Sequence, residues 1–482
     1  MTFKGRTVLA FILIAMFAGS VLTLTILEPS LVLERKTGGA PVSANDSGLS
    51  MKDLNKIMAT YNLIRNKSLT GADHDKLVNG AINGMLAAVG DPYTAYMDKE
   101  EARKFDENLN PTFQGIGAEV TMVNGRVTVV SPIKGSPAEK VGIHAHDVIL
   151  SVNGEKLDGL TLNEAVSKIR GPKGTQVRLE ILRAGAGEPV EIIVVRDDIP
   201  RETVYAEMLD GQIGKIEVQQ FLENTAKRFA EELAALESQG MKGLIIDVRN
   251  DPGGILSVVV NMVEPFIPKG RPIVHIENRE GKREPTLSKG EGKPYPVVVL
   301  INKGSASASE ILASALREAA GGRVIGETSF GKGTVQVTFQ QELGDGSNIR
   351  MTVYKWLTPD GNWIDKVGVT PDIAVEQPDY FKVAPLSRKT TLKSDMIGDD
   401  VKNLQIMLNG LGFPTDRTDG YFSEKTAAAV KSFQSRNGLP ATGEVDVETA
   451  NKLEEAIIAQ IRDPKNDRQL EAAINYLKGI VQ

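Results

Sequence analysis

The sequence contains no cysteine in its 482 residues, and it has only four histidines and two tryptophans. The absence of cysteine excludes disulfides, thiolate metal sites and a thiol nucleophile. An excess of positive charge is also missing, because 56 lysines and arginines stand against 62 aspartates and glutamates, for a net charge of −6. Surfaces that bind nucleic acid are strongly basic, so this balance argues against a nucleic-acid partner. Any chemistry must come from hydroxyls, amines, carboxylates or the four histidines.

The chain is too long for one compact core, and its length predicts about two to four domains. Apolar residues make up 41% of the sequence and charged residues 24%. This is the balance of globular proteins, and it excludes disorder along most of the chain.

One long hydrophobic run, at residues 8–27, carries no charge and follows Lys4 and Arg6. As a helix it reaches about 30 Å, the thickness of the hydrocarbon layer of a membrane. We predict a membrane anchor or signal segment at residues 1–36, and favour a retained anchor because the apolar region of a signal peptide is usually about 7 to 15 residues long. Since the basic residues precede the run, the positive-inside rule predicts that the following chain lies outside the cytoplasm.

The N-terminal part of the remaining chain contains a linker and helices. Residues 37–48 are small and polar, which is typical of a tether. Residues 49–110 show two amphipathic helical patterns, and Ser50 with Asp53 predicts a capping pair at the start of the first.

The middle of the chain changes to β-rich patterns. Residues 111–197 alternate short β-like runs with one helical stretch, which predicts a small module inserted in a larger domain at residues 198–380. In that larger domain, apolar runs at 244–248 and 297–301 are each followed by a turn and a helical pattern. We therefore predict a multidomain α/β (α+β) chain with functional turns at the strand ends.

Two helical regions complete the chain, at residues 396–460 and 461–482. The last helix has one apolar stripe, formed by Leu470, Ile474, Leu477 and Ile480. An apolar stripe that has no core to cover predicts a subunit interface. Together with the apolar faces of the N-terminal helices, it predicts a homodimer.

The densest group of hydroxyls is Gly304-Ser305-Ala306-Ser307-Ala308-Ser309-Glu310, between an apolar strand and a helical pattern. At a helix N-terminus, unpaired backbone N–H groups and the helix dipole stabilise a developing negative charge. A nucleophilic serine is suited to this place. Helix capping is the competing interpretation, since serine is a preferred N-cap residue.

A single lysine, Lys332, lies between two glycines at the entry to a predicted hairpin strand. If the chain is extended from Lys332, then Lys332, Thr334 and Gln336 share one face, so an amide could hold the amine in place. A lysine acts as a base only when neutral, which requires a pKa lowered from about 10.4 to roughly 7 to 8. A solvated turn is the competing interpretation. Residues 326–332 also fit phosphate-loop spacing, but Gly333 replaces the required hydroxyl and a β pattern follows, which argues against a nucleotide-dependent enzyme.

A third candidate segment is residues 247–254, at the end of an apolar strand. Its glycine pair would let backbone N–H groups approach a substrate carbonyl, as an oxyanion hole requires, although an ordinary β-to-α turn has the same composition. No motif surrounds any histidine, and His144 with His146 provides only two metal ligands.

With these motifs in place, the chain resembles the carboxyl-terminal processing peptidases, also called tail-specific proteases. The resemblance covers most of residues 50–380 and rests on five motifs in the same order, at 90–94, 135–154, 247–254, 304–310 and 330–336. It implies a crotonase-like ββα serine protease core at 198–380, preceded by N-terminal helices, with a PDZ domain inserted at 111–197 and a helical module at the C-terminus.

The resemblance also assigns roles to residues. It implies that Ser307 is the nucleophile, that Lys332 is the base and that Gln336 positions the amine, in a reaction that passes through an acyl-enzyme. Ser305 and Ser309 then become turn and capping residues. The amides of Gly254 and Ala308 would form the oxyanion hole, although Asp251 stands where asparagine is more familiar.

By the same resemblance, the PDZ domain captures the C-termini of protein or peptide substrates through strand addition. The residues implied are a loop that receives the carboxylate and an arginine that couples the insert to the active site: Phe113, Gly115, Ile116, Gly117 and Arg170. Residues 396–460 resemble a peptidoglycan-binding module, with Ser423 in place of the usual glycine.

These observations predict an extracytoplasmic serine endopeptidase of the bacterial cell envelope, membrane-anchored or secreted, that needs no cofactor or metal. Expected partners are substrate C-termini, the membrane, a second copy of the chain and peptidoglycan. A catalytically inactive PDZ-bearing cell-wall scaffold is the alternative, and the intact serine, lysine and glutamine argue against it.

Overall fold

The computed structural model describes residues 48–481, apart from residues 124, 134, 184–187 and 341. The apolar run at 8–27 and nearly all of the predicted linker lie outside the described residues. Within residues 48–481, no described helix is long and apolar enough to cross a membrane.

The chain forms two compact units, of which the first contains residues up to Gly90 together with 340–345. Its described helices are α1 (Met51–Lys67) and α2 (His74–Ala87). The predicted capping pair of α1 is confirmed, since the Asp53 N–H donates to the Ser50 hydroxyl and the Asp53 carboxylate accepts from the Ser50 N–H. Neither helix buries any residue, so apolar side chains such as Met58 and Met85 are exposed.

The second unit begins at Asp91 and contains three structural regions. Its first elements are β1 (Ala95–Met97) and α3 (Lys99–Leu109). The inserted β-rich region follows, and its elements are β2 (Thr112–Gly115), β3 (Ala118–Val123), β4 (Arg126–Pro132), α4 (Pro137–Lys140), β5 (Val148–Val152), β6 (Glu155–Lys156), α5 (Leu162–Ile169), β7 (Gln176–Leu182), β8 (Val190–Val195) and β9 (Asp197–Pro200). Strands pair in the order β3-β4-β5-β7-β8, with β6 on β5, around an apolar core of their own.

The inserted region is joined to the rest of the unit by a two-stranded antiparallel ribbon of β2 and β9. Phe113 pairs with Ile199, and Gly115 pairs with Asp197. The chain therefore enters and leaves the insert through strands that hydrogen-bond to each other.

The large α/β region follows the ribbon. Its elements are β10 (Val204–Leu209), β11 (Ile213–Val218), α6 (Thr225–Ser238), β12 (Gly243–Asp247), α7 (Leu256–Val263), a 3₁₀ turn (Glu264–Phe266), β13 (Pro272–Glu277), β14 (Arg283–Leu287), β15 (Val297–Ile301), α8 (Ala308–Ala320), β16 (Arg323–Gly326), β17 (Thr334–Phe339), β18 (Asn348–Leu357) and β19 (Ile373–Ala374). The main sheet has the order β10-β11-β12-β15-β16-β19 and is parallel from β11 onward, while β17 and β18 form the predicted hairpin in a second, antiparallel sheet.

The central strands β12 and β15 are buried at every residue. A strand that is covered on both faces has a continuous run of apolar residues. The sequence therefore predicted both strands from the apolar runs at 244–248 and 297–301. One face of the sheet packs on α6, α7 and α8, and the carboxyl ends of β12 and β15 lead directly into the segments that carry the candidate site. The prediction of a multidomain α/β chain is confirmed.

The last helix, α12 (Arg468–Val481), covers the other face of this sheet. Leu470 and Leu477 are buried against Ile213, Val298 and neighbouring strand residues. The premise that the stripe has no core to cover is therefore wrong, since Leu470, Ile474 and Leu477 pack on the sheet of their own chain, while Ile480 at the end of the stripe is exposed. Burial of each leucine contributes about 2 kcal/mol to stability.

The C-terminal module lies between the α/β region and α12. Its elements are a 3₁₀ turn (Asp379–Lys382), α9 (Asp399–Gly410), α10 (Glu424–Arg436), α11 (Val447–Arg462) and a 3₁₀ turn (Pro464–Asn466). Leu404, Phe433 and Leu453 are central to its apolar core. Ser423 caps α10 by accepting the N–H of Thr426, so its hydroxyl has a structural role in place of the usual glycine.

Candidate active site

The structure gives different environments to the three serines around the start of α8. Ser305 and Ser309 are fully buried, and their hydroxyls donate to the backbone carbonyls of Val248 and Asp251, at 2.7 and 2.9 Å. Ser307 is only partly buried and lines a cavity. A hydroxyl committed to a buried carbonyl is poorly placed for chemistry, so the geometry favours Ser307 as the reactive serine.

The backbone of Ser307 is held in an unusual conformation, with φ 56° and ψ −110°. A non-glycine residue at positive φ costs about 1–3 kcal/mol and is held there by its surroundings. Three hydrogen bonds hold the backbone of Ser307. Its N–H donates to Oε2 of Glu310 at 2.7 Å, and its carbonyl accepts the N–H groups of Glu310 and Ile311, each at 2.9 Å. Strain of this kind concentrates at active sites, so it supports a functional role for the turn.

The cavity has a volume of about 500 Å³ and lies between the turns after β12 and β15 and the β17–β18 hairpin. All five catalytic and oxyanion candidates from the sequence line it: Ser307, Lys332, Gln336, Gly254 and Ala308. The structure therefore brings together residues that come from three separate motifs.

The Lys332 amine is partly buried and therefore partly desolvated. Burial lowers the pKa of Lys332 below its ordinary value, the positive charge of Arg350 lowers it further, and the charges of Glu310 and Asp91 act in the opposite direction. Its Nζ lies 5.2 Å from the ring centre of Tyr93, so the Tyr93 ring lies beside the amine. A lowered pKa is what a lysine base requires.

Gln336 lies in the same cavity, but its hydrogen bonds go elsewhere. Its Nε2 donates to the hydroxyls of Thr334 and Thr352, at 2.9 and 3.0 Å, and its Oε1 accepts from Arg350 at 3.3 Å. The extended strand begins only at Thr334, and its pairing register shifts between Val335 and Gln336. Because of this shift, simple alternation along the strand does not place Lys332 and Gln336 on one face, and the role of Gln336 toward the amine stays a prediction.

The glycine pair packs tightly against the Ser307 turn. At Gly253, φ is 100°, and a Cβ there would lie 2.9 Å from the Ala308 nitrogen and 2.7 Å from the Ala306 carbonyl oxygen. Phe221 bonds to the residues on either side of Gly254. Among the described residues, neither the Gly254 nor the Ala308 N–H has an acceptor. Two unpaired donors at one cavity wall are the arrangement that an oxyanion hole requires.

Asp251 lies beneath this turn and is fully buried. Its Oδ1 accepts the Gly253 N–H at 2.8 Å, and its Oδ2 has no partner among the described residues. Burial raises the pKa of Asp251 to about 8. The neutral carboxyl that results at neutral pH combines an O–H donor with a carbonyl acceptor, much as the more familiar asparagine combines N–H donors with a carbonyl acceptor.

Reasoning from the sequence missed several residues at this site. Glu310 accepts hydrogen bonds from both candidate segments, and the Ser-x-x-Glu spacing of a capping box was its signal. Arg350 and Phe105 also line the cavity, with the guanidinium 5.1 Å from the ring centre. No local pattern marks either residue, because both come from elements distant in sequence.

A second, smaller cavity of about 210 Å³ lies in the inserted region. Its walls contain the five residues that the sequence assigned to peptide binding: Phe113, Gly115, Ile116, Gly117 and Arg170. The Arg170 guanidinium lies 4.8 Å from the ring centre of Phe113. The remaining lining residues are apolar, namely Ala118, Val120, Val166 and Ile169.

The other chemistries considered from the sequence have little support. The segment after Lys332 is a strand and not a helix, so no helix N-terminus follows the phosphate-loop spacing. Across the described ranges within 48–481, no group of three or more histidine, aspartate or glutamate side chains is placed to hold a metal ion.

Four protein-family models match the chain. The model for peptidase family S41 matches residues 212–375, and a PDZ domain model matches residues 128–183. A putative peptidoglycan binding domain model matches residues 397–453, and the model for the activating protease CtpB N-terminal domain matches residues 17–101.

Curated relatives match nearly the whole chain. Carboxy-terminal processing protease CtpB of Bacillus subtilis (strain 168) is 46% identical over 446 residues, which cover 92% of each protein. Carboxy-terminal processing protease CtpA of the same organism is 43% identical over 468 residues, 97% of each. A solved structure, the photosystem II D1 C-terminal processing protease, is 30% identical with a TM-score of 0.41, covering 67% of this chain and 86% of that one.

Proposed function

Because the chain belongs to the carboxy-terminal processing proteases of peptidase family S41, which are serine peptidases, we propose that Ser307 and Lys332 form its catalytic dyad. The observation that carries this proposal is the shared cavity, in which a strained serine and a lysine of lowered pKa line the same space. The chain is then an endopeptidase that acts without a cofactor.

The proposed reaction begins with the neutral Lys332 amine, which takes the proton of the Ser307 hydroxyl as Oγ attacks the substrate carbonyl carbon. The N–H groups of Gly254 and Ala308 stabilise the oxyanion of the tetrahedral intermediate. The Lys332 ammonium then protonates the leaving amine, and the acyl-enzyme remains. A water molecule, deprotonated by Lys332, hydrolyses the ester and restores both residues. In this mechanism, the side-chain oxygen of Gln336 gives up its hydrogen bond from Arg350 and accepts one from the Lys332 amine, which orients the amine.

The pH profile of cleavage follows from this base. Lys332 acts only when neutral, so activity rises through the neutral to mildly alkaline range as the ammonium loses its proton. A flat profile between about pH 6 and 9 in single turnovers would contradict Lys332 as the base.

The first test is digestion of an unfolded protein by the full chain, purified in detergent. Ser307→Ala and Lys332→Ala should lose cleavage by about 10⁴-fold or more while remaining folded. Ser305→Ala and Ser309→Ala are matched controls, each two residues from Ser307, and should keep activity with stability lowered by about 1–2 kcal/mol. If Ser305 or Ser309 is the sensitive residue, the proposed nucleophile is wrong. A folded wild type that is inert on every unfolded substrate would favour the inactive scaffold.

We also propose that the PDZ domain binds substrate C-termini in the smaller cavity. The carboxylate would meet backbone N–H groups of the loop at 113–117, and the apolar walls favour an apolar C-terminal side chain. Amidation of the C-terminus of a peptide substrate should therefore slow its cleavage. Equal rates for the free acid and the amide would contradict this mode of capture.

Arg170 is proposed to couple this cavity to the active site. Together with burial, its charge lowers the pKa of Arg201. Arg201 donates to the carbonyls of Glu107 and Asn108 at the end of α3, the helix that places Phe105 in the catalytic cavity. The carboxylate of a bound substrate C-terminus would offset the charge of Arg170. The effect would reach the active site through Arg201 and α3. If Arg170→Ala leaves cleavage and its dependence on the substrate terminus unchanged, the coupling role is wrong.

The remaining proposals concern location and assembly. The match to a peptidoglycan binding domain and the named relatives support a location at the cell envelope, and we propose an extracytoplasmic protein held by an anchor at 1–36. We propose that α1 and α2, which bury no residue, pair with a second copy of the chain. A full chain that stays monomeric in sedimentation equilibrium at micromolar concentration would contradict the homodimer. A full chain that fails to bind purified sacculi would contradict peptidoglycan binding.

A further inference from the structure

Glu310 is a fully buried carboxylate that accepts hydrogen bonds from both segments of the candidate active site. Its Oε1 accepts from the Ser329 hydroxyl and the Gly331 N–H, each at 2.6 Å. Its Oε2 accepts from the N–H of Ser307 at 2.7 Å and from the N–H of Lys332 at 2.9 Å. One oxygen thus receives the backbone N–H groups of both members of the proposed dyad.

This pattern exceeds what a helix cap requires. In a capping box, the Glu310 carboxylate needs to accept only one hydrogen bond, from the N–H of Ser307. The three other donors come from the loop at 329–332, which follows β16 and precedes β17. A buried carboxylate that satisfies donors on two segments fixes their relative position, because charge-assisted hydrogen bonds are strong and directional.

We propose that Glu310 is a positioning residue that sets the distance and orientation between the Ser307 hydroxyl and the Lys332 amine. The inference rests on the proposed dyad and deepens it. Through Oε2, the two backbone nitrogens are held within the length of two hydrogen bonds. Each side chain then projects from a backbone whose place is set relative to the other.

Other contacts hold the same loop, so loss of Glu310 need not unfold it. The Phe330 N–H donates to the Ser305 carbonyl at 3.0 Å, and the Lys366 N–H donates to the Gly331 carbonyl at 2.8 Å. The Ser329 hydroxyl also accepts the Val369 N–H at 2.6 Å. A substitution at Glu310 should therefore shift the loop by a small distance within a folded protein.

The charge of Glu310 provides a readout that a purely structural role would not change. The groups that act on the Lys332 amine are Arg350 from β18, Asp91 and Tyr93 from the turn before β1, and Glu310 from α8. Glu310 raises the pKa of Lys332, against the effects of burial and Arg350. Removal of this charge lowers the pKa, so the rise of activity with pH moves to lower pH.

The experiment compares the full-chain wild type with Glu310→Gln in single turnovers on an unfolded substrate across pH 6–9. We expect the maximal rate to fall about 10- to 100-fold, because the amide places a donor where N–H groups need an acceptor. KM should stay unchanged, since the peptide-binding cavity is untouched. The midpoint of the pH profile should move to lower pH.

Two variants serve as controls. Glu277→Gln removes another buried carboxylate, which pairs with Arg283 on β14, and should leave both the rate and the midpoint unchanged. Glu310→Asp keeps the charge on a shorter side chain, so the rate should fall while the midpoint stays near that of wild type. If Glu310→Gln fails to fold, Glu310→Asp decides the question.

A wild-type rate in a folded Glu310→Gln or Glu310→Asp would overturn the inference, as would a slow Glu310→Gln whose midpoint stays in place. These outcomes differ from failure of the dyad. If Ser307→Ala and Lys332→Ala remain active, the proposed function itself is wrong. If those two are dead and the Glu310 variants behave as wild type, only the positioning role is wrong.

Discussion

Asp251 makes the stability of the catalytic region depend on pH, and the structure gives the size of the effect. The carboxyl is fully buried, its Oδ2 lacks a described partner, and burial raises its pKa to about 8 from 3.8. Between these values the folded protein keeps a proton that the unfolded chain releases. The stabilising contribution is complete below pH 3.8 and is lost as the pH rises to about 8.

Each pH unit in this window lowers the free energy of unfolding by about 1.4 kcal/mol. From pH 5 to pH 7, Asp251 therefore removes about 3 kcal/mol of stability. Asp251→Asn cannot titrate, so its stability relative to wild type should rise by about that amount over the same interval. The difference in free energy of unfolding between Asp251→Asn and wild type reports on this carboxyl alone, because all other groups titrate in both proteins.

The assay is urea unfolding at pH 5, 6 and 7, followed by tryptophan fluorescence. Trp356 and Trp363 are the only tryptophans of the sequence, and both lie in the protease region, so the signal reports on that region. Asp210→Asn, which removes an exposed carboxyl, is the matched control. If the stability difference between Asp251→Asn and wild type changes by less than about 0.5 kcal/mol from pH 5 to 7, the argument from burial is refuted.

Three further predictions concern single side chains. Gly253→Ala should lower both the rate and the stability, by about 2–3 kcal/mol for stability, because its Cβ would lie 2.9 Å from the Ala308 nitrogen at a φ of 100°. Activity and urea unfolding check it, and a wild-type rate would contradict the close packing. Arg350→Met should raise the pKa of Lys332 and move the rise of activity to higher pH, and a shift to lower pH would contradict the assigned charge effect. Leu477→Ala should destabilise the protein by about 2–4 kcal/mol without changing its mass in sedimentation equilibrium, and a change of assembly state with unchanged stability would restore the interface interpretation.

The elements that the sequence predicted well are those with a local signal. The run at 297–301 became β15 with the same bounds, and the one helical stretch expected in residues 111–197 became α5, because a buried strand and an amphipathic helix each have a characteristic spacing of apolar residues. The capping pair at Ser50 was equally local.

The contacts that were missed join segments far apart in the chain. The partners of Gln336 include Thr352 and Arg350, which belong to the opposite strand of the hairpin. Their positions depend on the register of pairing, and the shift after Val335 leaves no mark in the apolar pattern. The surface covered by α12 was missed for a similar reason. Strands such as β15 are buried on both faces, and the sequence did not indicate that the last helix provides the second cover.

The ribbon of β2 and β9 has a mechanical consequence. Phe113 and Gly115 belong to this ribbon and also line the cavity proposed for the substrate C-terminus. A ligand in this cavity and a bend of the β2–β9 ribbon would therefore act on the same backbone. Thermodynamic linkage requires that each then affects the other equally. A substitution that makes the β2–β9 ribbon more rigid should then change the affinity of the PDZ domain for a substrate C-terminus. A bound C-terminus should in turn change the range of orientations that the PDZ domain adopts.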